Sequence, residues 1–301
     1  LFISYHFIYT SGASIHFFNY ELFQLSIFEI SMFKSIHYTL ILSFGLLIAI
    51  QLLRQGIREN DYYRLGSRPV SIGVAGDSGV GKTTFSNSLA AIFGESSIAE
   101  VSGDDYHNWD RLSPMWRTMT HLNPKANKLF HLVKDVRSLL DGNPVNARSY
   151  NHSTGNFSPT KITNSRDVIL VEGLHALYPN QLIEELDVRI FISMDESLRT
   201  YLRVKRDVTE RGHIEEDVLN EIERRKSDSQ KYILPQALRS DIVFSLLPIN
   251  SDLIDKDNSV NSNLKIRAAI RNGVYYDELV RVLIGVCGLQ VNVESIDEKG
   301  E

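Results

Sequence analysis

The chain changes its pattern of hydrophobic and polar positions several times along its length. Residues 1–31 are apolar and aromatic without a clear period, residues 32–54 contain a long uncharged stretch, and residues 55–69 are polar and basic. From residue 70 to residue 248, short apolar runs alternate with longer segments that have one apolar face. This alternation predicts a domain of strands and helices, in which the sheet is mostly parallel. Residues 249–301 begin polar and end apolar, and we treat them as a C-terminal extension.

The uncharged stretch Ser35–Leu53 is a candidate transmembrane anchor, because a helix needs roughly 20 apolar residues to span a bilayer. Lys34 precedes it and the arginine-rich linker 55–69 follows, so the excess of positive charge predicts that the rest of the chain lies at the cytoplasmic face of the membrane. A buried or amphipathic helix in a cytoplasmic protein is the alternative. Residues 1–31 are either a second hydrophobic segment or residues upstream of a start at Met32.

A glycine-rich loop follows the first strand of the α/β part. The strand pattern Val70–Ala75 runs directly into Gly-Asp-Ser-Gly-Val-Gly-Lys-Thr, a complete Walker A motif. Backbone N–H groups of such a loop, together with the N-terminus of the next helix, bind phosphates. We therefore expect ATP here, with Lys82 at the β- and γ-phosphates and the Thr83 hydroxyl on Mg²⁺. The predicted nucleotide-binding residues are Gly76, Asp77, Ser78, Gly79, Val80, Gly81, Lys82, Thr83 and Thr84.

Carboxylates follow two later strand patterns. Asp104 comes soon after the apolar run 98–101, and Glu172 comes directly after 167–171. Because the carboxyl ends of parallel strands form the ligand-binding edge of such sheets, both acids are expected beside the loop. One would take the proton of an attacking hydroxyl, and another would hold Mg²⁺. The Asn-Lys pair at residue 127 lacks the following Asp of a guanine-binding motif, so a kinase is favoured over a GTPase.

A basic segment follows the strand pattern Val188–Met194. It contains Arg203, Arg206 and Arg211, with Asp207 among them. Arginines at this point can neutralise charge on a phosphoryl group in transfer, and a closing lid excludes water. The segment therefore predicts an arginine-bearing lid, although many charge runs are only solvated helix faces.

Composition excludes several other functions. A net charge of −5 over 301 residues gives no general attraction to nucleic acid. A single cysteine, Cys287, excludes an internal disulfide framework and a cysteine-rich metal site. The hydrophobic share of 43% suits one globular domain with extensions.

Taken together, the motifs resemble the phosphoribulokinase and uridine kinase family, and more closely its phosphoribulokinase branch. The similarity runs from about Val70 to Pro248. The segments that carry it are the Walker A loop, Asp104-Asp105-Tyr106-His107 with Arg111, residues 122–127, residues 150–155, residues 171–175, residues 206–213, and Pro235-Gln236.

This resemblance implies a role for each matching residue. Asp104 looks like the catalytic base, and Glu172 looks like the second acid near the metal. Arg206 and Arg211 match the lid arginines and, with Lys82, complete the catalytic set that the resemblance implies. The remaining matches are Asp207 as a further metal-linked acid; His107, Arg111, Tyr150, His152 and Arg203 on the substrate side; and Arg224 and Arg225 in a stretch linked to phosphate binding or regulation.

The sequence thus predicts a P-loop NTPase fold, doubly wound, with helices on both faces of a mostly parallel sheet and an arginine-bearing lid. The expected reaction is transfer of the γ-phosphoryl group of ATP, with Mg²⁺, to a sugar phosphate such as ribulose 5-phosphate. Two alternatives stay open: a uridine or cytidine kinase, and a membrane-tethered nucleotide-binding regulator without a small-molecule acceptor. The C-terminal segment 264–293 is expected to pack on the core or to form a homodimer contact.

Overall fold

The computed structural model of the chain describes residues 15–18, 20–26, 68–210, 212–248, 264–271, 281 and 290–296. The candidate anchor at 35–53 and Arg211 therefore lie outside the described residues. Within the described ranges, no helix is both long enough and apolar enough to cross a bilayer. The anchor and the domain boundaries stay predictions.

The described residues form thirteen strands and five α-helices. The strands are β1 Ile15–Phe18, β2 Tyr20–Ser26, β3 Val70–Gly76, β4 Ile98–Ser102, β5 Val145–Ala147, β6 Tyr150–Asn151, β7 Asn156–Phe157, β8 Lys161–Thr163, β9 Val168–Gly173, β10 Val188–Met194, β11 Ile242–Pro248, β12 Leu264–Arg271 and β13 Gln290–Ile296. The helices are α1 Lys82–Phe93, α2 Leu129–Leu140, α3 Asn180–Ile183, α4 Glu196–Thr209 and α5 Glu215–Asp228. A π-helical turn, Ser229–Ile233, follows α5 directly.

A nine-stranded sheet has the order β1-β13-β2-β12-β11-β10-β3-β9-β4. Its half from β11 to β4 is entirely parallel, which confirms the predicted α/β class. Strand β9 is buried at every position and β3 at every position after Val70, as expected for strands that are covered on both faces. The β3, β9 and β10 strand patterns of the sequence are therefore confirmed as central strands.

The other half of the sheet was not predicted. Strand β12 runs antiparallel to β11, and β2 lies between β12 and β13. The aromatic N-terminal segment, in which the sequence shows no clear period, contributes β1 and β2. Pairing between the two ends of a chain depends on partner strands that are distant in sequence, so the local pattern does not reveal it.

The core lies between the parallel strands and the helices. Helix α2 places Leu132, Val136 and Leu139 on one face, and these side chains pack in the same buried cluster as Ile169 and Val171 of β9. Full burial of each such side chain stabilises the fold by about 1.5–3 kcal/mol. This packing holds the C-terminal ends of β4 and β9 at the same edge as the loop after β3.

Helix α4 has an unusual buried face. Arg199, Arg203 and Asp207 repeat every four residues and are all buried, with Leu198 beside them. Charged side chains are rarely buried unless they are paired, so this stripe indicates a polar interior site rather than the apolar core.

Candidate active site

The loop between β3 and α1 has the form of a phosphate cradle. Gly81 has a φ of 92° and precedes the first residue of α1, a left-handed conformation that favours glycine. At Gly76 a Cβ atom would lie 2.3 Å from the carbonyl oxygen of Ile192, so a larger residue cannot fit against β10. The Lys82 ammonium donates to the carbonyl oxygen of Asp77 at 2.9 Å. Burial lowers the pKa of Lys82, although Asp104 and Glu172 act in the opposite direction.

The side chain of Asp77 connects the cradle to the helices that follow β10. Its Oδ2 atom lies 3.3 Å from Nη1 of Arg199 on α4 and accepts a hydrogen bond from the hydroxyl of Ser229, in the turn after α5. Its Oδ1 atom accepts from the backbone N–H of Ser78 at 2.6 Å. Asp77 was predicted as a nucleotide-binding residue, and the structure shows that its carboxylate binds protein groups, namely Arg199, Ser229 and the backbone of Ser78.

Thr83 and Glu172 meet at the end of β9. The Thr83 hydroxyl donates to Oε1 of Glu172 at 3.5 Å, while Oε2 of Glu172 is buried without a hydrogen-bond partner. Burial raises the pKa of Glu172 to about 7, against the opposing charge of Lys82. An oxygen-only pair with one unsatisfied carboxylate oxygen suits Mg²⁺, which takes one or two protein ligands and completes its shell with phosphates and water.

The described residues contain no group of three or more His, Cys, Asp or Glu side chains placed to hold a metal. Asp207, the other predicted metal-linked acid, instead contacts two guanidinium groups. Its Oδ1 atom accepts from Nε of Arg206 at 2.9 Å, and its Oδ2 atom lies 3.7 Å from Nε of Arg203. We find Asp207 in an arginine network, and its role at a metal stays a prediction.

Asp104 lies in a 3₁₀ turn directly after β4, between two histidines. Nε2 of His152 is 3.2 Å from its Oδ2 atom, and Nε2 of His107 is 3.6 Å from its Oδ1 atom. Burial alone would raise the pKa of Asp104, but the hydrogen bond from His152 and the electrostatic effects of His107, His152 and Lys82 together hold it well below its usual value. Asp104 is therefore an ionised acceptor between the phosphate cradle and a histidine-lined wall.

The segment around the β6–β7 hairpin builds that wall. Arg111 donates from Nη2 to the carbonyl oxygen of His152 at 2.5 Å and from its backbone N–H to Gly155 at 2.8 Å. The rings of Tyr150 and His107 are edge to face, with centroids 5.6 Å apart. These contacts bring together substrate-side residues that are far apart in sequence.

Sequence reasoning missed two aromatic residues of this wall. The His121 ring lies 5.6 Å from both His107 and Trp116, centroid to centroid. Burial lowers the pKa of His121 well below its usual value, so the ring is neutral. The only available signal was the position of residues 116–121 just before the matching segment 122–127, which does not identify individual side chains.

One cavity of about 940 Å³ joins these parts. The predicted site residues that line it are Ser78, Gly79, Val80, Gly81, Lys82, Thr83, Thr84, Asp104, His107, Arg111, Tyr150, His152, Glu172, Arg203, Arg206 and Asp207. Gly76 and Asp77 support the cradle from behind, and Arg211 is outside the described residues. Trp116, His121 and Glu221, which the sequence did not single out, also line the cavity. Arg224 and Arg225, which the family resemblance linked to phosphate binding or regulation, line it as well.

Comparisons with known proteins agree with this arrangement. Residues 71–252 match the model of the "Phosphoribulokinase / Uridine kinase family". A phosphoribulokinase of Synechocystis is 36% identical over 70% of this chain and 62% of its own length, and the chloroplastic phosphoribulokinase of Triticum aestivum is 30% identical over 74% and 59%. A uridine kinase of Clostridium perfringens is 34% identical over 51% of this chain and 76% of its own.

A solved structure shows the same fold. The phosphoribulokinase from Rhodobacter spheroides superposes with a TM-score of 0.53 at 20% identity, covering 73% of this chain and 95% of that one. The chain spans about three fifths of the length of the first two curated relatives. The family match covers more than half of the chain and includes the phosphate cradle, both strand-end acids and the arginine-bearing helices. The chain therefore belongs to the phosphoribulokinase and uridine kinase family.

Proposed function

We propose that this chain is an ATP-dependent kinase that phosphorylates a hydroxyl group of a small sugar phosphate, of the ribulose 5-phosphate type. The observation that carries the proposal is the position of Asp104. It shares one cavity with Lys82 of the phosphate cradle on one side and with His107 and His152 on the other. A base between a nucleotide site and a second, polar subsite is what hydroxyl phosphorylation requires.

The transfer assigns one task to each group. The acceptor oxygen bonds to the γ-phosphorus while the bond from that phosphorus to the bridging oxygen of ADP breaks, and the hydroxyl proton passes to Asp104. Lys82 and Arg206 stabilise the negative charge on the transferring group. When bound, Mg²⁺ held by Thr83 and Glu172 supplies further positive charge to the phosphates. His107 and His152 orient Asp104 toward the acceptor.

The charge of the second subsite supports a phosphorylated acceptor. Arg111, Arg203, Arg224 and Arg225 all line the cavity, and two of them are less than a tenth exposed. Buried guanidinium groups favour an anionic ligand, because a neutral ligand would leave donors unsatisfied. Uridine or cytidine is the second candidate acceptor, since the rings of Trp116 and Tyr150 in the same wall could contact a base.

The cellular setting is part of the proposal. Residues 35–53 would anchor the enzyme at the cytoplasmic face of a membrane, and two copies of the chain would form a homodimer. Membrane fractionation of the full chain, compared with a chain in which several apolar residues of 35–53 are replaced by serine, tests the anchor. Recovery of both chains in the soluble fraction would contradict it.

ADP release by the full chain with Mg²⁺ and ATP tests the reaction. We expect stimulation by ribulose 5-phosphate and none by ribulose, which lacks the phosphate. Asp104→Asn should lower kcat by about 10²–10⁴-fold with ATP affinity nearly unchanged, because only the proton acceptor is removed. Asp141→Asn, at the exposed end of α2, is the matched control.

The same assay separates the alternatives. Stimulation by uridine or cytidine alone would make the chain a nucleoside kinase. Slow ATP hydrolysis that no acceptor increases, and that Asp104→Asn leaves unchanged, would favour a nucleotide-binding regulator. Full turnover in a folded Asp104→Asn variant would refute the role of Asp104 as the base.

A further inference from the structure

Three arginines of α4 and α5 surround one carboxylate in the wall of the cavity. The carboxylate belongs to Glu221, one turn before Arg225 on α5. Nη2 of Arg225 contacts its Oε1 atom directly, Nη2 of Arg224 lies 3.9 Å from Oε1, and Nη2 of Arg203 lies 3.9 Å from Oε2. One negative charge therefore faces three positive charges that come from two helices.

Among the described residues, two of the three arginines have an N–H donor without a hydrogen-bond partner. Arg203 and Arg225 are 4% and 8% exposed, and the Nε–H group of each has no hydrogen-bond partner. Asp207 offsets part of the charge of Arg203, while Arg224 also donates to the carbonyl oxygen of Trp116 at 3.0 Å. Burial, and then the charge of Arg203, lowers the pKa of Arg225. A buried guanidinium with an unsatisfied donor is costly, so this cluster favours an additional anion.

Glu221 is only partly buried, unlike Arg203 and Arg225. Its side chain is 35% exposed, and it lines the cavity together with all three arginines. In the part of the chain that the structure describes, its carboxylate contacts these arginines and no other cation. A carboxylate that is partly hydrated can leave such a position at lower cost than a fully buried one.

We propose that Glu221 is an internal counterion that competes with the phosphate group of the acceptor for Arg203, Arg224 and Arg225. In the acceptor-free protein its carboxylate partly neutralises the arginines. A phosphate monoester, with its greater charge and additional acceptor oxygens, displaces it and reaches the unsatisfied donors. This inference rests on the proposed function in so far as the acceptor carries a phosphate.

The competition has a consequence for specificity. Any anion that binds at the cluster must replace the existing ion pairs and is repelled by Glu221. A weakly charged ligand therefore gains little binding free energy there. A phosphate dianion gains enough binding free energy from the arginines to displace Glu221, whereas a carboxylate or a neutral sugar does not. Glu221 would therefore weaken acceptor binding overall while it increases discrimination between phosphorylated and unphosphorylated ligands.

Glu221→Gln tests the idea because it keeps the shape of the side chain and removes the charge. The probes are ribose 5-phosphate and ribose, each titrated calorimetrically into the full chain saturated with Mg²⁺ and ADP. We expect Glu221→Gln to bind ribose 5-phosphate about five- to thirtyfold more tightly than the unmodified chain, with ribose unchanged. Glu223→Gln is the matched control, because Glu223 lies on the same helix and pairs with exposed Lys226 at 3.7 Å.

A double variant shows where the phosphate binds. If the gain arises at the arginine cluster, Glu221→Gln combined with Arg225→Met should lose most of it. A gain that survives in the double variant, or equal or weaker binding in Glu221→Gln alone, would overturn the proposal. If Glu221→Gln folds poorly without ligand, ribose 5-phosphate should raise its unfolding temperature more than that of the unmodified chain, and an equal rise would likewise overturn it.

These measurements do not depend on turnover. An enzyme that binds ribose 5-phosphate as expected but transfers no phosphoryl group would refute the proposed reaction and leave the counterion role intact. Turnover of ribulose 5-phosphate with no effect of Glu221→Gln on its KM would support the proposed reaction and refute the counterion role of Glu221. The proposal on the reaction and the proposal on Glu221 can therefore fail separately.

Discussion

Replacement of Glu172 by glutamine should stabilise the ligand-free protein at neutral and alkaline pH. The side chain is 8% exposed, and burial raises its pKa from the usual 4.5 to about 7. Each pKa unit corresponds to about 1.4 kcal/mol, so holding this carboxylate ionised costs the folded state about 3 kcal/mol. Glutamine removes that cost while it keeps an oxygen beside Thr83.

The pH dependence has a definite sign. Below about pH 4.5 the carboxyl group is protonated in both the folded and the unfolded protein, and it contributes no difference. Between pH 4.5 and about 7 the folded state binds more protons, so the free energy of unfolding falls as the pH rises. Above about pH 7 the carboxyl group is ionised in both states, and the free energy of unfolding falls no further on its account. The glutamine side chain of the variant cannot titrate. The difference in free energy of unfolding between the variant and the unmodified chain therefore grows from pH 4.5 to about pH 7.

Urea unfolding at several pH values between 5 and 8, without nucleotide or Mg²⁺, measures this difference. The free energy of unfolding of the variant should exceed that of the unmodified chain by up to about 3 kcal/mol at pH 8 and by little at pH 5. Glu184→Gln, at an exposed position after α3, is the control for loss of a charge. With Mg²⁺ and ATP, turnover of Glu172→Gln should fall by about 100-fold or more, since the proposed Mg²⁺ ligand is lost.

The reasoning would be refuted by either of two results. Equal stability of Glu172→Gln and the unmodified chain at pH 8 would show that the carboxylate is not costly in the folded state. Lower stability of the variant at every pH would show that the charge itself stabilises the fold, for example through Lys82. Undiminished turnover would remove Glu172 from the metal site.

Two further substitutions probe the surroundings of the site. Asp77→Asn should lower the free energy of unfolding by about 1–3 kcal/mol and weaken ATP binding, because Arg199 loses its buried counterion and keeps only the pair with the exposed Glu196; unchanged urea unfolding would contradict this. Gly155→Ala should raise the acceptor KM severalfold and leave ATP affinity intact, because its φ is +74° and a Cβ atom there would lie 2.6 Å from the Cβ of Arg111. Gly142→Ala, with a φ of +82° and open space around it, is the control, and an equal change in KM in both variants would argue against the contact.

The parts of the site that the sequence predicted are those that local rules determine. The Walker A glycines and the apolar strand before them fix the phosphate cradle without reference to distant residues. Asp104 and Glu172 could be placed because parallel strands align their carboxyl ends at one edge. The structure confirms the parallel sheet, and both acids line the cavity beside Lys82.

The unpredicted parts depend on contacts between distant segments. Asp77 was predicted as a residue of the nucleotide-binding loop, but the pairing of its side chain with Arg199, more than a hundred residues later, was not foreseen. His121 reaches the wall through packing against His107 and Trp116, and no periodicity marks it. The antiparallel half of the sheet pairs β2 with β12, so neither segment alone indicates its partner.

The acids beside the phosphate cradle and the buried arginines come from different stretches of the chain. Asp77 directly follows β3, Asp104 follows β4, and Glu172 lies near the end of β9, whereas the buried arginines of the described residues lie on α4 and α5. A protein engineer could therefore exchange α4 and α5 as one continuous segment, provided that the replacement also supplies an arginine at the position of Arg206. The buried pair between Asp77 and Arg199 sets a second condition for such a graft, because every donor segment must present a cation to Asp77. Acceptor preference in this enzyme is thus open to redesign through one continuous segment of the chain.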